Sequence, residues 1–526
     1  MFALLAICAA LSADPPAPDL PRLPALSAEE ALRAFRVAPG FEIQLVACEP
    51  DVVDPVAAAF DEFGRLWVVE MRDYPFTLDD ENLTKSDLAH KQPSGRVRIL
   101  EDPDGDGRFE RASAFADGFH WPTGIALWAG GAFVCAAPDI VYLRDTDNDG
   151  RADQRRVVWT GFTRKNVQAL VNNLKWGLDG RIWGALGGNE AHVTSPSDSS
   201  KLEVTLRGRD FRFDPRGGPM ESVPGGGQFG MSFGDFGERF VCSNSNHLRH
   251  VVLEESAEGP AVADIAIDGP AAKVYRASPP EPWRVERTRQ RAGQPDAVRR
   301  YAPTELVPTG FFTSASGVTI YRGDLFPPAF RGNAFIGDVG GNLVHRKVLE
   351  PAGCTFTAHR PPGEETREFL TSSDSWFRPV NFAEGPDGAL YVLDMYRETI
   401  EHPFSIPDPL KAKLDLLSGN DRGRIWRIVP SGAKSPHRGP VSGRLTANAP
   451  ALAGLLSHSN AWWRETAARI LLERFPDVVP LELVAHLDPQ GSPLARAHAL
   501  WLLHRMALLK EPELARALRD PHPRVV

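Results

Sequence analysis

A short pattern near residue 390 constrains the fold more than any other part of this sequence. In NFAEGPDGALYVLDMYR, residues 381–397, two apolar runs flank a Pro-Asp-Gly tripeptide. Proline fixes φ, aspartate hydrogen-bonds to its own backbone and glycine accepts a positive φ, so the stretch predicts a β-hairpin. Weaker copies, in which aspartate or glycine separates two apolar runs, occupy residues 57–71, 122–136, 173–185, 228–242 and 317–338.

Six strand-rich units at a period of roughly 50–65 residues are typical of a β-propeller. Two more strand patterns, FEIQLVA (41–47) and GRIWRIV (423–429), precede the first hairpin and follow the last. We expect these two to share one blade, because their pairing would close the ring and remove two free sheet edges. The sequence therefore predicts an all-β six-bladed β-propeller over residues 32–430.

Two loops in the first two units carry the same acidic pattern. DPDGDGRFE and DTDNDGRAD place carboxylates at positions 1, 3, 5 and 9 and glycine at position 6, a spacing that curls oxygen ligands around a hard cation. We expect a structural calcium ion in each loop, on the face away from the channel mouth; the alternative is a pair of Asp-Gly-rich turns without an ion. The candidate metal ligands are Asp102, Asp104, Asp106, Glu110, Asp145, Asp147, Asp149 and Asp153.

Polar side chains are dense where the inner strands should reach the mouth of the central channel, which is where propellers commonly bind ligands. Arginine grips carboxylates, amides complement hydroxyls and histidine accepts protons, so these residues predict a site for an oxygen-rich molecule. The alternative is that many of them tie the blades together. The candidate ligand-binding residues are Glu70, Arg72, Gln168, Asn172, Asn246, Arg378 and Arg397, and the candidate catalytic residues are His120, His247 and Asp394. The wider predicted ring also contains Tyr74, Asp139, Asn166, Asn189, Asn244, Ser316, Asp338, Asn342, Tyr396 and His402.

The N-terminus and the composition add expectations about location and partners. Residues 1–13, MFALLAICAALSA, resemble a secretory signal, and residues 14–31 form a Pro-rich linker. We expect an exported protein, periplasmic or at the cell surface, either free or anchored by this segment; a misassigned start is the alternative. The net charge of −9 and the lack of a basic cluster argue against nucleic-acid binding. Cys135 and Cys242 fall in predicted strands, where we expect buried thiols.

The sequence changes to helical periodicity after a linker at residues 431–448. Residues 449–526 predict a small α-helical, HEAT-like solenoid, in which Arg464, Arg496 and Arg524 recur at spacings of 32 and 28 residues. A helical surface of this kind would suit a protein partner. The last predicted helix has barely begun at Val526, and a solenoid needs a capping repeat, so we expect a longer natural chain.

Several blade motifs resemble one known family. GRLWVVEMRDYPF, GRVRILEDPDGDGRFE, NVQALVNNLKWGLDG and SSDSWFRPVNFAEGPDGALYVLDMYRE are similar to motifs of the membrane-bound dehydrogenase propellers of planctomycete and verrucomicrobial bacteria, over about residues 32–430. That family is distantly similar to soluble, six-bladed glucose and sorbosone dehydrogenases that use pyrroloquinoline quinone. The resemblance implies oxidation of a sugar or alcohol by a bound quinone, with electrons leaving through haem c.

Two departures from the resemblance keep other functions open. The quinoprotein base is a histidine at a blade entrance, but NVQALVNNLKW has Asn166 and Gln168 there, which leaves His120 or His247. No CxxCH motif occurs, so haem would lie in a missing C-terminal part or in a cytochrome c partner. The alternatives are a non-catalytic propeller that binds glycans or a protein, and a calcium-dependent hydrolase such as a lactonase. The hydrolase would hold its metal in the channel through Glu70, Asp139, Asp338 and Asp394.

Overall fold

Six antiparallel sheets surround a central channel in the computed structural model, so the six-bladed β-propeller is confirmed. The structure describes residues 20–76, 92–196, 203–252, 264–267, 272–433, 445, 448–478 and 481–526. The first strand of each hairpin lines the channel, and these six inner strands contact one another around the ring. The predicted signal at 1–13 and most of the linker at 431–448 lie outside the described residues.

The blades have the following bounds. Blade 1 contains Pro55–Phe60, Leu66–Glu70, Gly95–Glu101 and Arg111–Phe119; blade 2 contains Pro122–Trp128, Gly131–Ala136, Asp139–Arg144, Gln154–Phe162, Ala191–Thr194 and Val204–Leu206. Blade 3 contains Asn172–Trp176, Ile182–Ala185, Asp210–Phe213 and Met220–Val223; blade 4 contains Met231–Phe233, Arg239–Val241, Arg249–Val251 and Asp264–Ala266. Blade 5 contains Ala315–Ile320, Ala334–Asp338, Leu343–Ala352, Thr355–His359, Leu370–Ser372 and Phe35–Val37; blade 6 contains Pro379–Glu384, Leu390–Asp394, Arg424–Pro430 and Phe41–Cys48.

The helices lie before, between and after the blades. The described α-helices are Ala28–Ala34, Pro282–Ala292, Ala297–Arg300, Asp408–Lys411, Ala449–Gly454, Ala461–Arg474, Leu481–Ala485, Pro493–Arg505 and Glu511–Ala517. Short 3₁₀ turns occupy Val167–Ala169, Pro303–Glu305, Pro328–Phe330, Pro403–Ser405 and Leu455–Ser457. None of the helices in the described ranges is long and apolar enough to cross a bilayer.

The Pro-Asp-Gly hairpin forms in blade 6 as the sequence predicts. Gly388 has φ +78°, and a Cβ there would lie 2.4 Å from Asp324 Oδ1 of blade 5, so both its conformation and its space require glycine. Asp387 accepts hydrogen bonds from Ala389 N (3.1 Å) and from the hydroxyl of Tyr391 (3.0 Å). The second strand, Leu390–Asp394, is buried along its whole length because neighbouring blades pack on both of its faces.

The ring closes through the N-terminal strand. Phe41–Cys48 pairs antiparallel with Arg424–Pro430 in a register that runs from Phe41 opposite Pro430 to Cys48 opposite Arg424, which confirms the predicted pairing. Just before it, Phe35–Val37 pairs with Leu370–Ser372 of blade 5. The N-terminal segment therefore joins the last two blades.

A narrow collar divides the channel. In five blades the pairing of the first two strands shifts register near the channel mouth, as between Pro379 and Asn381. At this level the buried Asn381 donates to Val56 O (3.0 Å) and its Nδ2 lies 3.4 Å from Asn173 Oδ1. One cavity lies on each side of this collar.

The C-terminal helices cover the face of the propeller that carries the inner hairpin turns. Helix Ala461–Arg474 lies across the end of the channel, and the HEAT-like arrangement of the helices stays a prediction. The helices contact every blade, through Arg469–Glu62 (2.9 Å), Ala129 N–Glu473 (2.9 Å), Arg505–Asp214, Arg464–Asp235, Arg322–Glu465 and Trp463 Nε1–Pro386 O (2.9 Å). We call this group of helices the helical cap.

Candidate functional site

A cavity of about 310 Å³ occupies the mouth of the channel, on the side of the collar away from the helical cap. Its floor is apolar and is formed where inner strands begin and second strands end; Val56, Phe229, Ala315, Val380 and Met395 contribute to it. Cavities of this kind commonly hold small ligands. The channel mouth is therefore the candidate site, as the sequence predicts.

A helix inserted between blades 4 and 5 roofs this cavity. Pro282–Ala292 begins with proline at its first turn and is followed by Gly293, the residue pattern that favours a short, well-bounded helix. Residues three and four apart share a helix face, and four such positions line the cavity: Arg284, Arg287, Thr288 and Arg291. One face of the helix thus presents three guanidinium groups to the site.

Each of these three arginines has a carboxylate partner in the protein. Arg287 Nη1 donates to Glu401 (2.8 Å) and Arg291 Nη1 to Glu305 (3.3 Å), and both glutamates line the cavity. Arg284 Nε donates to Glu281 (3.3 Å). Within the described residues, Arg287 Nε is buried and has no acceptor. The site therefore keeps an unused donor beside the cavity.

Four residues of the ring predicted from the sequence line the cavity: Tyr74, Gln168, Asn244 and Ser316. Gln168 Nε2 donates to the Tyr74 hydroxyl (3.1 Å). Burial raises the pKa of Tyr74 above its ordinary range, so this phenol stays protonated. These residues offer amide and hydroxyl groups to a ligand.

The two predicted arginines of blade 6 are buried and fully occupied by protein groups. Arg378 Nη1 donates to Glu281 (2.8 Å), and its other nitrogens donate to backbone carbonyls. Arg397 binds both oxygens of Asp54 (2.6 and 2.7 Å). Although burial opposes it, three arginines including Arg378 lower the pKa of Glu281 to about 2. These arginines therefore need no carboxylate ligand, and neither lines the cavity.

Other predicted ligands also tie the blades together. Asn172 is buried and donates to Leu170 O and Gln228 O (both 2.8 Å), and Asn246 is half-buried beside the rim without lining the cavity. Glu70 is buried, accepts from Val53 N (2.9 Å) and lies 3.3 Å from Arg98. Arg72 is half-buried near it. The contacts of Asn172 and Glu70 are those of structural ties, whereas Asn246 and Arg72 lie outside the cavity lining.

None of the three predicted catalytic residues reaches the cavity. His120 lies 3.4 Å from Asp73 and stacks on Trp121, and His247 is buried against Phe312. Burial lowers the pKa of His247 well below its usual range. Asp394 is buried and accepts hydrogen bonds from Arg378 N, Tyr396 N and Trp426 Nε1 (2.8, 3.0 and 2.9 Å). A base at the site has to come from elsewhere.

The two acidic loops fold as the spacing predicts. Asp102, Asp104, Asp106 and Glu110 bring carboxylate oxygens within 4.8 Å of one another, as do Asp145, Asp147 and Asp149. Asp153 does not join the second group; it accepts from Thr146 N (3.0 Å) and the Thr146 hydroxyl instead. In the part of the chain that the structure describes, no other group of three potential ligands converges, so the channel carboxylates predicted for a hydrolase metal stay apart.

The roof of the site was missed by sequence reasoning. Arg284, Arg287, Arg291 and Glu305 lie between the hairpins of blades 4 and 5, and Glu401 follows blade 6. EPWRVERTRQRA places three of its four arginines on one helical face, and the long gap between the two hairpins marks an insertion. Those signals predict a charged surface helix, but not its position over the channel.

Comparison with known proteins identifies a family and similar folds. Residues 27–432 match the family model described as "Domain of unknown function (DUF7133)", and no curated protein matches. Similar solved structures include the pyranose dehydrogenase PQQ domain of Coprinopsis cinerea (13% identity, TM-score 0.41, 78% of this chain and 98% of that one). Another is PQQ-bound aldose sugar dehydrogenase of Streptomyces coelicolor (13%, 0.38, 75% and 100%). A third is the calcium structure of a family AA12 carbohydrate-active enzyme of Trichoderma reesei (15%, 0.40, 76% and 97%). These scores are too low for the likeness to indicate what this chain does.

Proposed function

Because the chain belongs to the DUF7133 family, whose description assigns no activity, we propose its function from the channel-mouth cavity: quinone-dependent oxidation of a small sugar or alcohol. The observation that carries the proposal is the row of Arg284, Arg287 and Arg291 above an apolar floor. A pocket of this kind suits a flat ring that bears several carboxylates, because guanidinium groups bind carboxylates bidentately.

The residues present fit the pyrroloquinoline quinone that the sequence resemblance implies. Arg287 Nε is a buried donor with no acceptor among the described residues, and a buried donor is costly until it is paired. A ligand carboxylate would bind the part of Arg287 that lines the 310 Å³ cavity, while the floor of the cavity would cover the ring. When bound, the quinone would accept the electrons of the alcohol. We assign Arg287 and Arg291 to hold its carboxylates.

Glu401 is the best-placed proton acceptor at this site. It lines the cavity, and its Oε2 accepts from Arg287 Nη1 (2.8 Å). A general base has to lie within hydrogen-bond reach of the proton that it takes. His120 and His247 lie outside the cavity and therefore do not meet this requirement. We therefore assign Glu401 as the base that accepts the proton of the substrate hydroxyl.

Quinone binding to arginine variants tests the proposal. Arg287→Gln and Arg291→Gln should each weaken the affinity about 10- to 100-fold, because a hydrogen bond to a charged group contributes ~1.5–3 kcal/mol. Arg289→Gln is the matched control, since Arg289 lies on the same helix but is 73% exposed and pairs with Glu286. Calorimetric titration of the full chain with the quinone would measure all four proteins. No affinity in the wild type would overturn the cofactor assignment.

A second candidate, non-catalytic binding of an anionic glycan, is favoured because no histidine lines the cavity within the described part of the chain. Glu401→Gln separates the two. Under the dehydrogenase proposal, this variant still binds the quinone but no longer reduces an electron-accepting dye when sugars are added. Under the binding proposal, the wild type reduces no dye, while acidic sugars still bind and Arg287→Gln weakens them.

We also propose export and the transfer of electrons to a cytochrome c domain or to a cytochrome c partner. Both rest on the sequence, through the signal-like residues 1–13 and the lack of a CxxCH motif. Fractionation of producing cells tests the first. Reduction of a purified c-type cytochrome by the quinone-loaded protein tests the second.

A further inference from the structure

A second cavity, of about 150 Å³, lies at the far end of the channel beneath the helical cap. The inner strands of all six blades contribute to its walls, and helix Ala461–Arg474 closes it. The collar at Asn381 separates it from the channel mouth. We call it the distal cavity.

Five charged side chains face the distal cavity: Lys175, Arg322, Glu384, Glu465 and Arg469. Arg469 is paired with Glu62 (2.9 Å) and Glu473 (2.7 Å), which lie outside the lining. Arg322 pairs with Glu465, and its backbone N–H donates to Glu384. Most of the charge is thus compensated within the protein.

Two cationic donors remain without acceptors. Across the described residues, the Lys175 side chain makes no hydrogen bond or ion pair, and Arg322, although paired with Glu465, has an Nε that is buried without an acceptor. Burial lowers the pKa of Lys175, although Glu384 and Glu465 oppose the shift. A buried charge without a partner is costly, and a counter-ion removes that cost.

We propose that the distal cavity binds a small oxyanion, a carboxylate or a phosphate, at Lys175 Nζ and beside the Arg322 guanidinium. The cavity volume admits a molecule of only a few heavy atoms. Because Arg469 is paired outside the lining, Lys175 and Arg322 stand against Glu384 and Glu465 in equal number. Lys175, whose side chain makes no hydrogen bond or ion pair among the described residues, is therefore the group that favours an anion with a single negative charge. Such an anion would join blade 3, blade 5 and the helical cap. It would act independently of the proposed quinone site.

Titration of the full chain with sodium acetate and, separately, sodium phosphate tests this site, with ionic strength held by HEPES. The wild type should show saturable binding by calorimetry and a rise in Tm, and the stronger of the two probes identifies the class of anion. Lys175→Met should weaken binding at least tenfold. Lys165→Met, which removes an exposed lysine on the other face of the disc, should leave it unchanged.

A second measurement needs no variant. Amine acetylation of the wild type, mapped by mass spectrometry, should be slowed at Lys175 by the bound anion, with Lys165 as the internal reference. The proposal is overturned by an absence of saturable binding in the wild type, by equal affinity in Lys175→Met, or by labelling of Lys175 that no anion affects.

Discussion

Buried carboxyl groups set how the stability of the ring depends on pH. Burial raises the pKa of Glu70 to about 7, of Asp338 to about 6 and of Asp394 to about 7, against the opposition of nearby arginines and hydrogen-bond donors. The folded protein therefore holds protons that the unfolded chain has released. Each group contributes stability that is present below its unfolded pKa and is lost as the pH rises through its folded pKa.

Glu70→Gln should make the free energy of unfolding less dependent on pH between about 4.5 and 7. The wild type should lose about 3 kcal/mol relative to this variant over that window, because each pKa unit corresponds to about 1.4 kcal/mol. Urea unfolding at three pH values measures the slope. Glu482→Gln removes an exposed carboxylate and serves as the control. Equal slopes in Glu70→Gln and the wild type would contradict the assignment.

Residue chemistry alone did not separate ligand-binding side chains from structural ones. Arg378 and Arg287 are both arginines near the channel mouth. Arg378 donates hydrogen bonds to Glu281 and to three backbone carbonyls, whereas Arg287 Nε has no acceptor among the described residues. The difference depends on which distant segments fold against each side chain. Glu281 lies in the inserted segment, far from Arg378 in the sequence. A motif on one blade could not reveal it.

Single elements were far easier to predict, because their signals are local. The turn at Asp387 and Gly388 fixes its hairpin through backbone geometry. The first acidic loop fixes its shape through hydrogen bonds that Gly105 N (2.8 Å) and Gly107 N (2.9 Å) donate to Asp102. Both predictions needed only a few neighbouring residues. The helix Pro282–Ala292 could be anticipated as a helix for the same reason, whereas its place over the channel depends on the whole ring.

Calcium should bind both acidic loops, and the two loops should differ at their ninth position. Glu110 belongs to the first carboxylate group, so Glu110→Gln should weaken calcium binding there. Asp153 lies outside the second group, so Asp153→Asn should have little effect, whereas Asp147→Ala should abolish that site. Calcium titration calorimetry and the fall in Tm on chelation measure these effects. If the chelator leaves the Tm of the wild type unchanged, the loops are turns without an ion.

At the scale of the whole molecule, the helical cap should stabilise the propeller as one unit. Its contacts reach every blade, and its own Trp462 and Trp463 are buried. A chain that ends at residue 433 should therefore unfold at lower temperature and lose its inner hairpin turns to protease earlier. A chain that ends at residue 507 keeps helices Ala461–Arg474 and Pro493–Arg505 and should retain most of the stability. Equal Tm values for the two truncated chains would show that the helical cap does not stabilise the propeller.

The closure of the ring also has a consequence for synthesis. Phe41–Cys48 leaves the ribosome before the six inner hairpins of the propeller, but its partner, Arg424–Pro430, leaves after all of them. At ~5–20 residues per second the early strand waits roughly 20–80 s as an unpaired edge. During that time the unpaired strand of one nascent chain can pair with strands of other nascent chains on the same messenger RNA. The producing cell therefore has to shield this strand until translation reaches residue 430.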